Sequence, residues 1–513
     1  MNTYKQHQFF FAQLYLTTVL ALTIASGHAV QSLRTEADFA AIDAYVTNQM
    51  NRLGIPGMAL GIVQGDRIVH LRGFGVADKT GRPVTVQTPF RIGSITKSFT
   101  ALAIMQLVEA GKIELDAPVQ RNLPWFRAAD EAAAARITVR QLLNQTSGFS
   151  TLAGNAYWGS QDGLEAAVRH LRTVELSQPV GAGFQYSNIN YSIAGLIVEA
   201  ASGQPYADYI AKHIFAPLAM RHSFTATAPS LADGLAMGHL YSIGRMVADI
   251  GVEPPAYLPA GFVSASVEDM SHFAVAQLNG GRYGNATVLS ENGIAQLHHP
   301  AIPVGAIHAG LKDTYYGMGW VIGPINATRA IWHNGDTGRF HAMLIMAPER
   351  GTGIVLLANA SGLEYLVAVD DIAKGVLSLL NDQPPPASSM AQLFRIVYWV
   401  ILLTPLLLLI GIARGWWHWK RGDFAAIGNQ PHGRRKQMWR VFLMAIPNLA
   451  VALFFLFGLP RLTGLPFSAF RILYPDLGYA LMASIAIGIV WSAVYTALVL
   501  QKRIEMRKRD TSP

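Results

Sequence analysis

Apolar positions along this chain fall into three regimes. Residues 9–25 form an uncharged run just after Lys5, residues 30 to about 380 mix apolar, polar and charged positions, and three long uncharged runs follow beyond residue 390. In the middle regime Met58–Val63 and Ile68–Phe74 are strand-like runs around Gln64-Gly65-Asp66, a glycine-containing turn. Glu36–Leu53 reads as a helix with Thr35 as its N-cap, and Ser98–Ala110 as a second helix stopped at Gly111. Helical and loop segments, including Tyr191–Ala201, continue to about residue 280. Late strands follow at Trp320–Ile322, Ala330–His333 and Ala342–Ile345, and at Gly353–Leu357 after the turn Pro348–Gly351. Strands at both ends with helices between them predict an α+β fold in which the two ends of the domain share one sheet. No internal repeat is visible.

The outer regimes concern membranes. Lys5, the run Phe9–Ala25 and Gly27-His28-Ala29 read as a signal peptide, residues 1–29, cleaved after Ala29, with an uncleaved anchor as the alternative. A globular domain is expected over residues 30–382, a Pro-rich linker around Pro384-Pro385-Pro386 over 383–392, and a membrane domain over 393–513. Its expected spans are Ile396–Ile412, Val441–Leu459 and Leu477–Leu500, each about long enough to cross ~30 Å of hydrocarbon.

Charge gives these spans a direction. Of the net charge of +8, residues from Met390 onward carry 15 Lys and Arg against 4 Asp and Glu, leaving 25 against 28 before them. Arg414, Lys420, Arg421, Arg434, Arg435, Lys436 and Arg440 lie between spans one and two, and Lys502, Arg503, Arg507, Lys508 and Arg509 follow span three. The loop between spans two and three holds only Arg461 and Arg471. By the positive-inside rule the first two regions are cytoplasmic, and residues 30–390 face out, as the N-terminal signal also requires. Trp399, Trp416, Trp417, Trp419 and Trp439 near span ends suit the interfaces. A nucleic-acid partner would need a basic face on the folded domain, so none is expected. The chain has no cysteine, which excludes disulfides, thiolate metal sites and a Cys nucleophile.

Three short elements can do chemistry. Ser94-Ile95-Thr96-Lys97 precedes the helix Ser98–Ala110, which puts the hydroxyl at the positive end of a helix dipole and Lys97 on the same face. A lysine held in a desolvated cleft is neutral enough to take a serine proton; an N-cap serine beside a surface lysine is the structural alternative. Tyr186-Ser187-Asn188, before a helical run, presents a phenol and a carboxamide. His333-Asn334-Gly335 ends a strand, where glycine allows close backbone approach and the next amide, Asp336 N–H, can face an oxyanion.

In this order and spacing the three elements resemble the beta-lactamase family of serine hydrolases, in particular its class C and penicillin-binding-protein-like branch. The resemblance extends over about residues 35–380, through stretches such as Gly57–Val63, Leu142–Gly148, Ile214–Met220, Pro259–Ser264 and Tyr316–Trp320. It implies an antiparallel sheet flanked by helices with an all-helical subdomain, here followed by three transmembrane helices. It implies Ser94 as acylated nucleophile, Lys97 and Tyr186 sharing the proton transfers with the base undecided between them, and Asn188 on the substrate amide. His333 and Gly335 take the third motif's place, and Ser94 N–H and Asp336 N–H form the oxyanion hole. No cofactor or metal is implied. Two departures stand out. Asn144-Gln145 replaces the usual Thr-His, where a local repacking of the turn is expected, and Gly338-Arg339-Phe340 brings in a cation that either binds a substrate carboxylate or pairs on the surface.

An unperturbed histidine is mostly neutral near pH 7, so His333 attracts a carboxylate less than a lysine would. The expected activity is therefore hydrolysis of an amide or ester by a membrane-anchored enzyme of the bacterial inner membrane, with the domain periplasmic and the C-terminus cytoplasmic. The substrate is a small molecule or peptide, with cell-wall-derived D-amino-acid peptides, esters and beta-lactams as the classes in reach, and membrane lipid is the other partner. A beta-lactam or muropeptide sensor with little turnover is the alternative.

Overall fold

A strand buried on both faces needs an unbroken apolar run, whereas an edge strand alternates. Both occur in one eight-stranded antiparallel sheet. Its strands are β1 (Gly57–Gln64), β2 (Arg67–Gly75), β3 (Ile302–Pro303), β4 (Tyr315–Gly317), β5 (Trp320–Ile325), β6 (Thr328–Asp336), β7 (His341–Ala347) and β8 (Thr352–Ala358). The spatial order is β3-β4-β5-β6-β7-β8-β1-β2. β1 lies between β8 and β2 with Met58 opposite Ala358 and Gly57 opposite Gly75, so the two ends of the domain do share the sheet. β1, β7 and β8 are buried almost throughout, while β2, at the edge, is mostly half-exposed. The helices Val267–Leu278 and Tyr365–Leu380 pack on the buried strands. The computed structural model describes residues 36–305, 313–387, 389–421 and 446–510. The expected signal segment Met1–Ala29, the start of span two at Val441 and the basic residues Arg434, Arg435, Lys436 and Arg440 lie outside the described residues.

The chain divides into two units, residues 1–45 and 46–513. The helix Glu36–Leu53 runs from the first into the second. Within the second unit the central element is the helix Thr96–Glu109, whose residues from Thr96 to Met105 are all buried. A helix apolar all round belongs in a core rather than on a surface. Phe99 stacks on Phe273 at 4.0 Å between centroids, and Trp320 of β5 continues the stack at 6.3 Å. The helix begins two residues earlier than its apolar pattern predicts, and a 3-10 turn, Gly93–Ile95, leads into it. Short strands at Ser223–Phe224, His239–Ser242, Arg245–Ala248 and Ser264–Ala265 interrupt the region read from sequence as helix and loop. Two to four residues are too few to show a period of two, and only tertiary pairing defines them.

Among the described residues, three helices are long and apolar enough to cross a membrane: Met390–Trp417, Ile446–Thr463 and Pro475–Ala497. The first belongs to a 32-residue helix, Ser389–Lys420, that continues through Pro405. Leu406, Leu407, Phe457, Val490 and Val494 are exposed along them, a surface that suits lipid and not water. These helices also hold the sheet region. Arg395 pairs with Glu364, and the Tyr398 hydroxyl accepts from Ile243 N at 2.8 Å. The connection between the second and third, with its short helix Phe467–Leu473, docks beside the site described next.

Candidate active site

Ser94 lies in the 3-10 turn, one turn before Lys97 on the buried helix. Lys97 Nζ is 2.9 Å from Ser94 Oγ, 2.8 Å from Asn188 Oδ1 and 2.6 Å from Ala260 O. The side chain is fully buried, and among the described residues no carboxylate pairs with it. Burial alone drives its pKa well below the usual lysine value, because the charged form loses its hydration. A neutral amine has two N–H bonds and one lone pair. Asn188 Oδ1 and Ala260 O can only accept, so they take both N–H groups and the lone pair is left for the Ser94 hydroxyl proton.

Tyr186 sits over the same amine, with Nζ 4.7 Å from the ring centroid and the Ser94 hydroxyl within hydrogen-bonding reach. Burial pushes its phenol well above the ordinary value, so it is a proton donor at neutral pH and a poor base. The loop that carries it is clamped by Gln145. Gln145 is a buried non-glycine residue at φ +59°; its carbonyl accepts from Gln185 N, and its Oε1 accepts from Ser187 N and Asn190 Nδ2. The departure at Asn144-Gln145 is therefore the clamp of the second motif. Asn188 is oriented by a residue that sequence reasoning missed. Gly464 O accepts from Asn155 Nδ2 at 2.9 Å, and Asn155 Oδ1 accepts from Asn188 Nδ2 at 2.8 Å. Because a carbonyl only accepts, this contact fixes both amides and turns the Asn188 oxygen toward Lys97.

β6 closes the other side. β5 leaves β6 after Trp332, so residues 333–336 have a strand on one edge only, β7. Thr337 N bonds Phe340 O. Pairs alternate in an antiparallel ladder, so Asp336, paired with His341, turns its N–H away from β7 and toward Ser94. The approach is close enough to require glycine: a methyl on Gly335 would lie 1.9 Å from Ile92 O and 2.8 Å from Ser94 N, and one on Gly93, at φ +54°, 2.4 Å from Asp336 N. His333 is buried and neutral. Burial, then the nearby Lys97, hold its pKa down at about 3; Nδ1–H donates to Asn334 O at 2.5 Å and Nε2 lies 3.4 Å from the Tyr316 hydroxyl.

Arg339 does not line the cleft. It is buried, with Nε and Nη2 on Asp249 Oδ2 at 2.7 and 2.6 Å and Nη1 donating to Ile472 O at 2.8 Å and to Gly338 and Leu473 carbonyls. Neither sequence reading of it holds: it is committed to docking the connection between the second and third apolar helices against the β6–β7 hairpin.

Behind Asp336, His341 bonds Asp336 through Nδ1 (3.3 Å) and Asp370 through Nε2 (2.9 Å), and Ser361 donates to Asp336. Burial opposes a charge here, but the hydrogen bonds to Asp336 and Asp370 outweigh it and hold the imidazole pKa up at about 9. A raised histidine pKa contributes stability that is complete below about 6.5 and lost as pH rises through about 9. The melting temperature of the full chain is thus expected to fall between pH 6.5 and 9, and His341→Gln should flatten that slope; an equally steep slope in the variant would assign it to another group. No sequence pattern announced this cluster, since the three groups come from β6, β7 and the helix Tyr365–Leu380.

Ser94, Tyr186, His333 and Asp336 open onto one cleft of about 970 Å³, which Arg461–Gly464 also line. The geometry can be set beside known proteins. Protein flp of Staphylococcus aureus (strain MW2) is 28% identical over 333 residues, 63% of this chain and 64% of that protein. The match therefore spans less than two thirds of that relative's length. Penicillin-binding protein 4 of Amycolatopsis lactamdurans is 30% identical over 60% of this chain and 81% of its own. The octameric penicillin-binding protein homologue from Pyrococcus abyssi superimposes with a TM-score of 0.59 and 28% identity, over 68% of this chain and 78% of that one. Residues 42–376 match the sequence profile of the Beta-lactamase family, taking in the sheet, the buried helix and all three motifs, and the chain belongs to that family.

Proposed function

We propose that the protein is a membrane-anchored serine hydrolase that acts on an amide or ester through an acyl-enzyme on Ser94. The carrying observation is the contact set of Lys97, which leaves one lone pair aimed at the Ser94 hydroxyl. In the proposed sequence Ser94 Oγ attacks the substrate carbonyl carbon while Lys97 takes its proton, and the oxyanion is held by Ser94 N–H and Asp336 N–H. Tyr186, kept protonated, gives its proton to the leaving nitrogen or oxygen as that bond breaks, and is reprotonated from Lys97. Water then cleaves the acyl ester, losing its proton to the same pair and restoring Ser94. Asn188 is oriented to face the substrate amide as well as Lys97, and His333 and Gly335 shape the β6 edge against which the substrate lies.

The remaining parts of this reading rest on the chain's layout. In this reading residues 1–29 are a signal segment, 30–382 the hydrolase domain, 383–392 a linker and 393–513 a membrane domain, with the cleft on the periplasmic side of the inner membrane and the C-terminus in the cytoplasm; the basic residues flanking the apolar runs support it. D-amino-acid peptides, esters and beta-lactams are the substrate classes, favoured by the penicillin-binding relatives.

The test uses the full chain in detergent micelles with a fluorescent penicillin, an ester panel and D-Ala-D-Ala peptides, followed by peptide mapping of any adduct. Expected are an adduct on Ser94 and repeated turnover of at least one ester or peptide. A stable one-to-one adduct with no turnover of any probe would make the protein a beta-lactam-binding sensor, and an adduct on another residue would overturn the assignment.

A further inference from the structure

We propose that the membrane region builds one wall of the catalytic cleft and that Arg461 in that wall binds the anionic end of the substrate, so that the enzyme prefers amides and esters carrying a carboxylate. The inference rests on the hydrolase reading above and adds a substrate class to it.

The wall is fixed at both ends. Gly464 O accepts from the buried Asn155, which orients Asn188 beside Lys97. Gly464 is packed so closely that a methyl there would lie 2.4 Å from Thr151 Cγ2. At the other end Arg339 donates to the carbonyls of Ile472 and Leu473. The connection is thus joined both to the lysine side and to the hairpin that carries the Asp336 amide, and Arg461 and Leu462, at the end of the second apolar helix, line the same cleft as Ser94.

Arg461 is singled out by elimination among the described cationic groups. His333 uses Nδ1–H on Asn334 O and stays neutral. Arg339 does not line the cleft and its donors are taken. His341 is held between Asp336 and Asp370, and Lys374 lies 3.5 Å from Asp371. Arg461 makes one hydrogen bond, from Nη1 to Phe457 O at 3.1 Å, and no ion pair among the described residues. A guanidinium has five N–H donors in a fork that matches a carboxylate, which leaves most of this one free for a ligand. Among the described residues, the catalytic region alone offers no such uncommitted cation on the cleft.

The test compares two probes of the same serine on the full chain in uncharged detergent: a fluorescent penicillin, which carries a carboxylate, and an uncharged fluorophosphonate. Arg461→Gln is expected to slow penicillin labelling about tenfold, the scale of one charge-assisted contact, and to leave phosphonate labelling unchanged, with Arg461→Lys in between. Equal slowing of both probes, or of neither, would overturn the inference, as would a parent protein labelled by the phosphonate alone. A parent that neither probe labels on Ser94 would refute the hydrolase reading itself, and this inference with it.

Discussion

Ser94→Ala and Lys97→Met are each expected to lower kcat/KM on the order of 10⁴-fold or more, and the double variant should be no worse than either single one. In the proposed mechanism the hydroxyl and the amine form one device: without Ser94 Oγ there is nothing to acylate, and without the Lys97 lone pair the hydroxyl keeps its proton. Groups that act as a unit are strongly non-additive, so losses that multiplied in the double variant would show that they act separately. Lys97→Arg should not rescue, because a guanidinium is always protonated and has no lone pair to offer. Lys97→Met should still fold, since it removes a buried amine while leaving Ala260 O and Asn188 Oδ1 without a donor, two effects of opposite sign. The pH profile tests the same device. The base form of Lys97 is the active one, so kcat/KM falls as pH drops through the Lys97 pKa, and that acid limb must lie far below 10.5, the ordinary lysine value. A rate still climbing toward pH 10.5 would mean the amine is charged at neutral pH and is not the base.

Gly335→Ala has the second-largest expected effect, a loss of about 10²- to 10³-fold in kcat with a smaller change in KM. The added methyl would meet Ile92 O at 1.9 Å and Ser94 N at 2.8 Å, both backbone atoms that cannot turn aside. β6 must therefore move away from the Gly93–Ile95 turn, and the Asp336 amide moves with it. The loss matches that of one oxyanion-hole donor, with overpacking costing a further ~1–3 kcal/mol of stability. Gly65→Ala is the control. It sits at φ +62° with nothing within 4 Å of an added methyl, so it carries backbone strain without steric contact. It should lower stability slightly and leave kcat intact. Equal losses of kcat in both variants would mean that Gly335 acts only through global stability.

Much of the site was legible in local sequence, because its parts are local. Ser94 and Lys97 are one helical turn apart, Tyr186 and Asn188 flank a helix start, and Gly335 follows His333 on one strand, so spacing carries their geometry. The same holds for the long apolar runs at the C-terminus, whose length against hydrocarbon thickness is a property of composition. The first helix nonetheless extends past the charges that bounded it in sequence, since Arg395 is satisfied by Glu364 from a distant part of the chain. Arg339 shows the limit most clearly. Its neighbours in sequence place a cation next to a motif, but its partners, Asp249 and the carbonyls of Ile472 and Leu473, lie 90 or more residues away.

By itself the sequence determined which residues are candidates for the reactive groups, that the two ends of the domain share one sheet, and which segments suit lipid. Each follows from periodicity, residue chemistry or run length within a few neighbours. Only the tertiary structure decided that Asn155 orients Asn188, that His341 is held between two carboxylates behind the Asp336 amide, and that Arg461–Gly464 of the membrane region walls the cleft. Those contacts join segments up to about 300 residues apart, and nothing in a local pattern records which carbonyl a distant amide will meet once sheet register and helix docking are set.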